Sequence, residues 1–161
     1  MRTLTPVEAA LALAIGASVL ASAIPAFLRN LHASRLVEPI DGLNHIAMRA
    51  TQLAASKPAE FAYPESVPLT PAQIPRGERV TDPPGTWNHR SWRLLEFEWA
   101  VPHSFSFAFE SKNGKGHAAF LARAHGDLDG DGILSTFEIG GETRDGAEPT
   151  TSAMVIRREV E

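Results

Sequence analysis

Apolar residues crowd the start of the chain and then thin to a stripe. From Ala9 to Leu28 twenty residues run without a charge; Glu8 stands at the head of the run and Arg29 closes it. A helix of that length, at ~1.5 Å rise per residue, covers the ~30 Å hydrocarbon core of a bilayer. Alanines, Gly16, Ser18 and Ser22 recur in it, and small residues suit close helix–helix contact in lipid. Beyond Arg29 the pattern changes period rather than stopping. Leu36, Ile40, Leu43, Ala47, Ala50 and Ala54 fall at helical spacing among Asp41, Asn44, Arg49 and Gln52. The pattern predicts one long helix from about Pro6 to about Ser56, apolar all round in its first half and amphipathic in its second. Pro39 should kink or divide it, because the ring lacks an N–H and crowds the carbonyl four residues back.

Residues 58–84 hold seven prolines and read as extended, irregular connection. Period-two patterns follow. "LLEFEWA" alternates Leu95, Phe97 and Trp99 with Glu96 and Glu98; "SFSFAFE" puts Phe105, Phe107 and Phe109 on one face; "HAAFLARA" runs from His117 to Ala124. Each predicts a strand with one buried face, as in an antiparallel sheet. "SKNGKG" between the second and third reads as a hairpin turn, and "SAMVIRREV" near the end as a fourth strand. The buried faces need a cover, and the amphipathic stripe is the sizeable apolar surface left to supply it. The expected fold is therefore α+β: a long N-terminal helix, membrane-spanning over 4–28 and amphipathic over 29–57, packed on a small antiparallel sheet within a β domain at 58–161.

Composition narrows the function. A net charge of −4 in 161 residues offers no basic face, so no nucleic-acid partner is expected. The absence of cysteine excludes disulfides, thiol catalysis and zinc–thiolate sites. The six histidines (His32, His45, His89, His103, His117, His125) form no close pair at metal-ligand spacing. No nucleophile elbow or phosphate-cradling glycine loop is present, so an enzyme is not expected. The Trp87, Trp92 and Trp99 group reads as sheet core.

The twelve residues "DLDGDGILSTFE" fit the calcium loop of EF-hands. Asp127, Asp129 and Asp131 occupy its first, third and fifth positions, and Gly132 allows the sharp turn. Ile133 would offer its carbonyl, Ser135 its hydroxyl at the ninth position, and Glu138 two closing oxygens. Calcium takes six to eight oxygen ligands, and closely spaced carboxylates supply them. The flanks read as strand and loop rather than helices, so the expectation is a structural calcium ion in a sheet protein.

"LTPVE", the apolar run and "AIPAFL" resemble the type IV pilins and the pseudopilins of type II secretion. In that family a mature chain begins with a hydrophobic residue, has glutamate fifth, and carries a proline seventeen residues later. Leu4, Glu8 and Pro25 stand in those relations if the chain is cut before Leu4, with residues 1–3 as a short leader. Thr3 stands where such leaders end in glycine or alanine. "SRLVE" (Ser34 to Glu38) is similar to the helix of that family, and Gly-Asp-x-Asp-Gly-Asp-Gly after a strand resembles a group of bacterial pilin-like proteins. The resemblance implies a filament subunit of a pilus or pseudopilus, with copies of itself or other pilin subunits, prepilin peptidase, inner-membrane assembly machinery and membrane lipid as partners. It implies an inner-membrane location, single-pass, with the globular domain outside the cytoplasm. An unpaired carboxylate in a helix at bilayer depth costs ~2.5–3.5 kcal/mol or more, so Glu8 needs a partner. In the pilin reading that partner is the free amino group of a neighbouring subunit. Pro25 would let the span loosen locally on packing.

A different outcome is written in "ASA" at Ala21 to Ala23, a small-residue site after an apolar stretch. Cleavage after Ala23 would release an exported, calcium-stabilised soluble binding domain.

Overall fold

A computed structural model describes residues 5–158, the side chains of residues 26 and 28–35 excepted. The chain divides into two compact units, Met1–Arg35 and Leu36–Glu161.

Helix α1 runs unbroken from Pro6 to Ala55, with Pro25 and Pro39 both inside it. Of the kink or division expected at Pro39, the division does not occur. A proline removes one helical hydrogen bond. Here the ring is fully buried, and the helix on either side is held by packing in the second unit. Pro6–Pro25 is long and apolar enough to cross a membrane. Val7, Leu11, Leu13, Ile15, Val19, Leu20 and Ile24 are all exposed.

In the second unit the amphipathic stripe is used as its spacing predicts. Leu43, Ala47, Ala50 and Ala54 are buried with Ile46, and Leu36 and Ile40 pack at the margin. They meet one face of an antiparallel sheet built from β1 (Val67–Thr70), β2 (Phe105–Gly114), β3 (His117–Gly126), β4 (Ser135–Arg144) and β5 (Thr150–Thr151) in that order, with β6 (Val155–Arg157) also on β4. The β2–β3 hairpin turns at Lys115 and Gly116, inside the expected segment, and pairs Phe105 with Gly126 through Gly114 with His117. Strand β4 continues the ladder, from His117 opposite Arg144 to Gly126 opposite Ser135. Phe105, Phe107, Phe109, Phe120, Ala122, Ala124, Phe137 and Ile139 fill the covered face. Gly42 faces the sheet at close range: a Cβ there would sit 2.6 Å from the Phe107 ring.

Two strand expectations need correction. "LLEFEWA" is not a strand. Helix α2 (Arg90–Leu94) ends in it, and the chain then turns, with the Phe97 N–H donating to Trp92 O at 2.9 Å and Glu96 at a φ of 51°. The imidazole of His89 starts α2 by accepting the Ser91 N–H at 3.2 Å. The alternation was still informative about burial, since Leu95 and Phe97 are in the core; irregular chain brings them there without a ladder. The second correction is β4, which the sequence pattern did not reveal. Gly140 and Gly141 interrupt its alternation, and Gly141 is required because a Cβ would collide with the Phe120 ring and the Thr150 carbonyl. Trp87 and Trp92 join the core, as expected, in a ring cluster with Phe97 and Phe107.

Candidate functional site

The head of α1 is organised around Glu8. Thr5 is the N-cap, Pro6 the first helical residue and Glu8 the third. The Thr5 N–H donates to Glu8 Oε2 at 2.8 Å, the Thr5 hydroxyl donates to the same oxygen at 2.9 Å, and the Glu8 N–H donates to Thr5 Oγ1 at 3.3 Å. This is a reciprocal capping box, with proline at the position where its missing N–H costs nothing. A carboxylate in the first turn also meets the positive end of the helix dipole. The charge of Glu8 therefore has partners within its own chain, and Oε2 takes both side-chain and backbone donors. Its other oxygen, Oε1, has no partner among the described residues. Thr-Pro-Val-Glu is itself a capping-box sequence, with threonine at the cap and glutamate three residues on. Leu4 lies outside the described residues. Pro25 lies within α1, which continues past it.

The acidic loop joins β3 to β4. Asp127, Asp129 and Asp131 come together, each offering a carboxylate oxygen within 4.8 Å of the others. Asp127 is almost fully buried, while Asp129 and Asp131 are exposed. The loop folds on its own side chains. Gly130 and Gly132 N–H groups donate to Asp127 at 2.8 and 3.2 Å, the Asp131 N–H to Asp129 at 3.1 Å, and the Ile133 N–H to Asp131 at 2.7 Å. Gly130 and Gly132 take φ of 83° and 92°, where a side chain would strain the turn. The Gly77 N–H reaches Asp127 O at 2.8 Å, and Arg76 Nε lies 3.9 Å from its carboxylate.

The rest of the expected ligand set is divided. Ile133 stays in the loop. Ser135 is buried at the first position of β4, opposite Gly126. Glu138 is not brought to the aspartates. It stands opposite Arg123 in the β3–β4 register, accepting from Arg123 Nε at 2.8 Å, with Arg157 3.7 Å away. An EF-hand returns its twelfth residue by helical winding. Here β4 is extended, and three residues of strand carry Glu138 ~10 Å from Ser135. The three aspartates fit a hard cation by donor type, with Ile133 O and water to complete the shell.

A third polar cluster, at the head of β2, was not foreseen. Asp82 Oδ2 accepts from Trp87 Nε1 at 2.8 Å and lies 2.9 Å from His103 Nε2; His103 Nδ1 lies 2.8 Å from Phe105 O. His103 is fully buried. Beside it Glu38 of α1, 7% exposed, accepts the Ser104 N–H at 2.9 Å and the Phe105 N–H at 2.8 Å on Oε1. Its Oε2 lies 3.1 Å from the Ser104 nitrogen and 3.7 Å from Arg79. Burial pushes the Glu38 carboxyl up from its ordinary value, against the pull of the two amides, His103 and Arg79. Nothing local in the sequence marks this cluster, since its members lie up to 67 residues apart.

Comparisons with family models, with curated proteins and with solved structures give no match.

Proposed function

We propose that this chain is a pilin-like subunit, held in a membrane by the apolar part of α1 and assembled into a filament of a type IV pilus or type II secretion pseudopilus. The carrying observation is a membrane-length apolar helix with a capped carboxylate at its head, continuous with a helix that packs on an antiparallel sheet. In this reading Glu8 keeps its cap through Oε2 while Oε1 receives the amino terminus of a neighbouring subunit, which sets register between protomers. The role is structural rather than catalytic. A calcium ion held by Asp127, Asp129, Asp131 and the Ile133 carbonyl would brace the β3–β4 loop by relieving the mutual repulsion of the carboxylates.

A second reading has its own support. Among the described residues, the buried apolar core begins at Leu43, with Leu36 and Ile40 packed against it, all within the second unit. Cleavage after Ala23 would then release an exported domain. The deciding experiment is the mass and N-terminal sequence of the mature protein from its native cell. A chain beginning at Leu4 supports the filament subunit. A chain beginning at Ile24 removes the anchor and overturns it.

A further inference from the structure

Over its last turns the stripe by which α1 lies on the sheet consists of small, nearly equivalent residues, Ala47, Ala50 and Ala54, and the close steric fit is at Gly42 against Phe107. Glu38 is different. It is the first buried side chain of α1 among the described residues, and it is bonded to backbone rather than to side chains. Two N–H groups at fixed positions ahead of and within β2 accept only one axial and one rotational placement of that carboxyl. Any shift leaves both amides buried without acceptors, which is costly.

The bonding is also indifferent to charge. Both short bonds end on the same oxygen, Oε1, at 2.9 and 2.8 Å. A neutral acid with its proton on Oε2 keeps Oε1 as a carbonyl acceptor for both amides. It gives up only the 3.1 Å approach of the Ser104 nitrogen and the 3.7 Å approach of Arg79, whose own side chain is 62% exposed. The charged and titratable groups around it are Arg79 from the connection before β2, His103 with its partner Asp82, and the exposed Asp41 one turn on along α1.

We propose that Glu38 is a register pin that fixes α1 on the sheet and stays closed whether or not the carboxyl is protonated. The helix–sheet junction is thereby held through acidification, a property suited to a domain outside the cytoplasm. The linkage follows from the burial. Because the folded chain holds this proton more tightly than the unfolded chain, the contribution is fully present below the ordinary glutamate value and declines as pH rises through the folded one.

The test uses the full chain in detergent micelles, comparing wild type with Glu38→Gln and Glu38→Ala. Amide exchange at Ser104 and Phe105 reports the pin directly. Both amides should stay protected in wild type at neutral pH and at about pH 4.5. Glu38→Gln, which keeps an acceptor oxygen, should retain them; Glu38→Ala should exchange ~10-fold faster or more at these two sites. The melting temperature of wild type relative to Glu38→Gln should rise on acidification, since His103 and Asp82 are common to both. Loss of Ser104 and Phe105 protection in acidified wild type, or a relative melting temperature that drops on acidification, would overturn the proposal in favour of an ion-pair clamp. Unaltered exchange in a folded Glu38→Ala chain would overturn it as well. Should Glu38→Ala not fold, the wild-type and Glu38→Gln comparison decides alone.

Discussion

His103 Nε2 and Asp82 Oδ2 lie 2.9 Å apart in the core, and the same oxygen also receives Trp87 Nε1. One carboxylate thus serves two buried rings on which the aromatic cluster rests. Replacing Asp82 by Ala removes the shared acceptor of two buried ring nitrogens, and the expected cost is ~1–3 kcal/mol for each polar group left unsatisfied. Asp82→Asn keeps an acceptor and should cost clearly less. Chemical unfolding of both variants measures this, and equal stabilities would deny the shared-acceptor role.

The capping box separates two roles of Glu8. Thr5→Ala removes one partner and should weaken the first helical turn by ~1 kcal/mol, read as faster amide exchange at Glu8 and Ala9 in micelles. Glu8→Gln preserves the box, because glutamine serves at that position. It removes the charge that filament pairing requires. Glu8→Gln is therefore expected to keep first-turn protection yet enter filaments as poorly as Glu8→Ala. Normal incorporation of Glu8→Gln would reduce Glu8 to a cap.

Two helix glycines should respond in opposite directions. Gly42→Ala forces a methyl against the Phe107 ring, 2.6 Å away, and near Trp99 at 3.2 Å. That ring is locked in the cluster, so overpacking of ~1–3 kcal/mol should outweigh any propensity gain. Gly16→Ala meets nothing within 4 Å and should be neutral or favourable by up to ~1 kcal/mol in helix formation. Thermal unfolding of Gly42→Ala and helicity of Gly16→Ala in micelles supply the comparison.

Calcium should raise the melting temperature of the sheet domain, and a chelator should reverse the rise. A site filled at a hundred times its dissociation constant stabilises by ~2.7 kcal/mol. Asp129→Asn and Asp131→Asn should diminish that response. Glu138→Gln should leave it intact, because Glu138 is engaged by Arg123 and Arg157 on the strand. A response lost with Glu138→Gln would mean that β4 rearranges on binding.

Tyr63 is the one tyrosine of the chain. Burial, and then the charge of Glu142, push its phenol from 10.0 up to about 12. Ultraviolet titration of the folded protein should show no phenolate near pH 10 and ionisation only near the higher value. The folded chain holds this proton longer than the unfolded one, so stability is unaffected below pH 10.0 and declines as pH rises toward about 12. Ionisation at the ordinary value would place the ring in water.

How much was legible divides along sequence distance. The helix, its apolar and amphipathic halves, the β2–β3 hairpin and the gathering of Asp127, Asp129 and Asp131 were readable because periodicity and turn chemistry act within a few residues. The cap at Thr5 and Glu8 was equally local and lay in plain view. Strand β4 was hidden by Gly140 and Gly141, whose purpose is to admit a neighbour's ring and carbonyl. Glu138 misled because the twelve-residue spacing presumes a helix after the loop, whereas the chain there is committed to pairing with β3.

Sequence by itself determined a membrane-length helix, an amphipathic continuation and strands with one apolar face, since each follows from how often apolar side chains recur along a regular backbone. Tertiary structure alone decided where that helix is pinned, which carboxylates gather and which are drawn into ion pairs. Those choices join Glu38 to Phe105, 67 residues away, and Arg123 to Glu138 across a ladder. Their energies come from desolvation and hydrogen bonding between groups that become neighbours only when the sheet has formed.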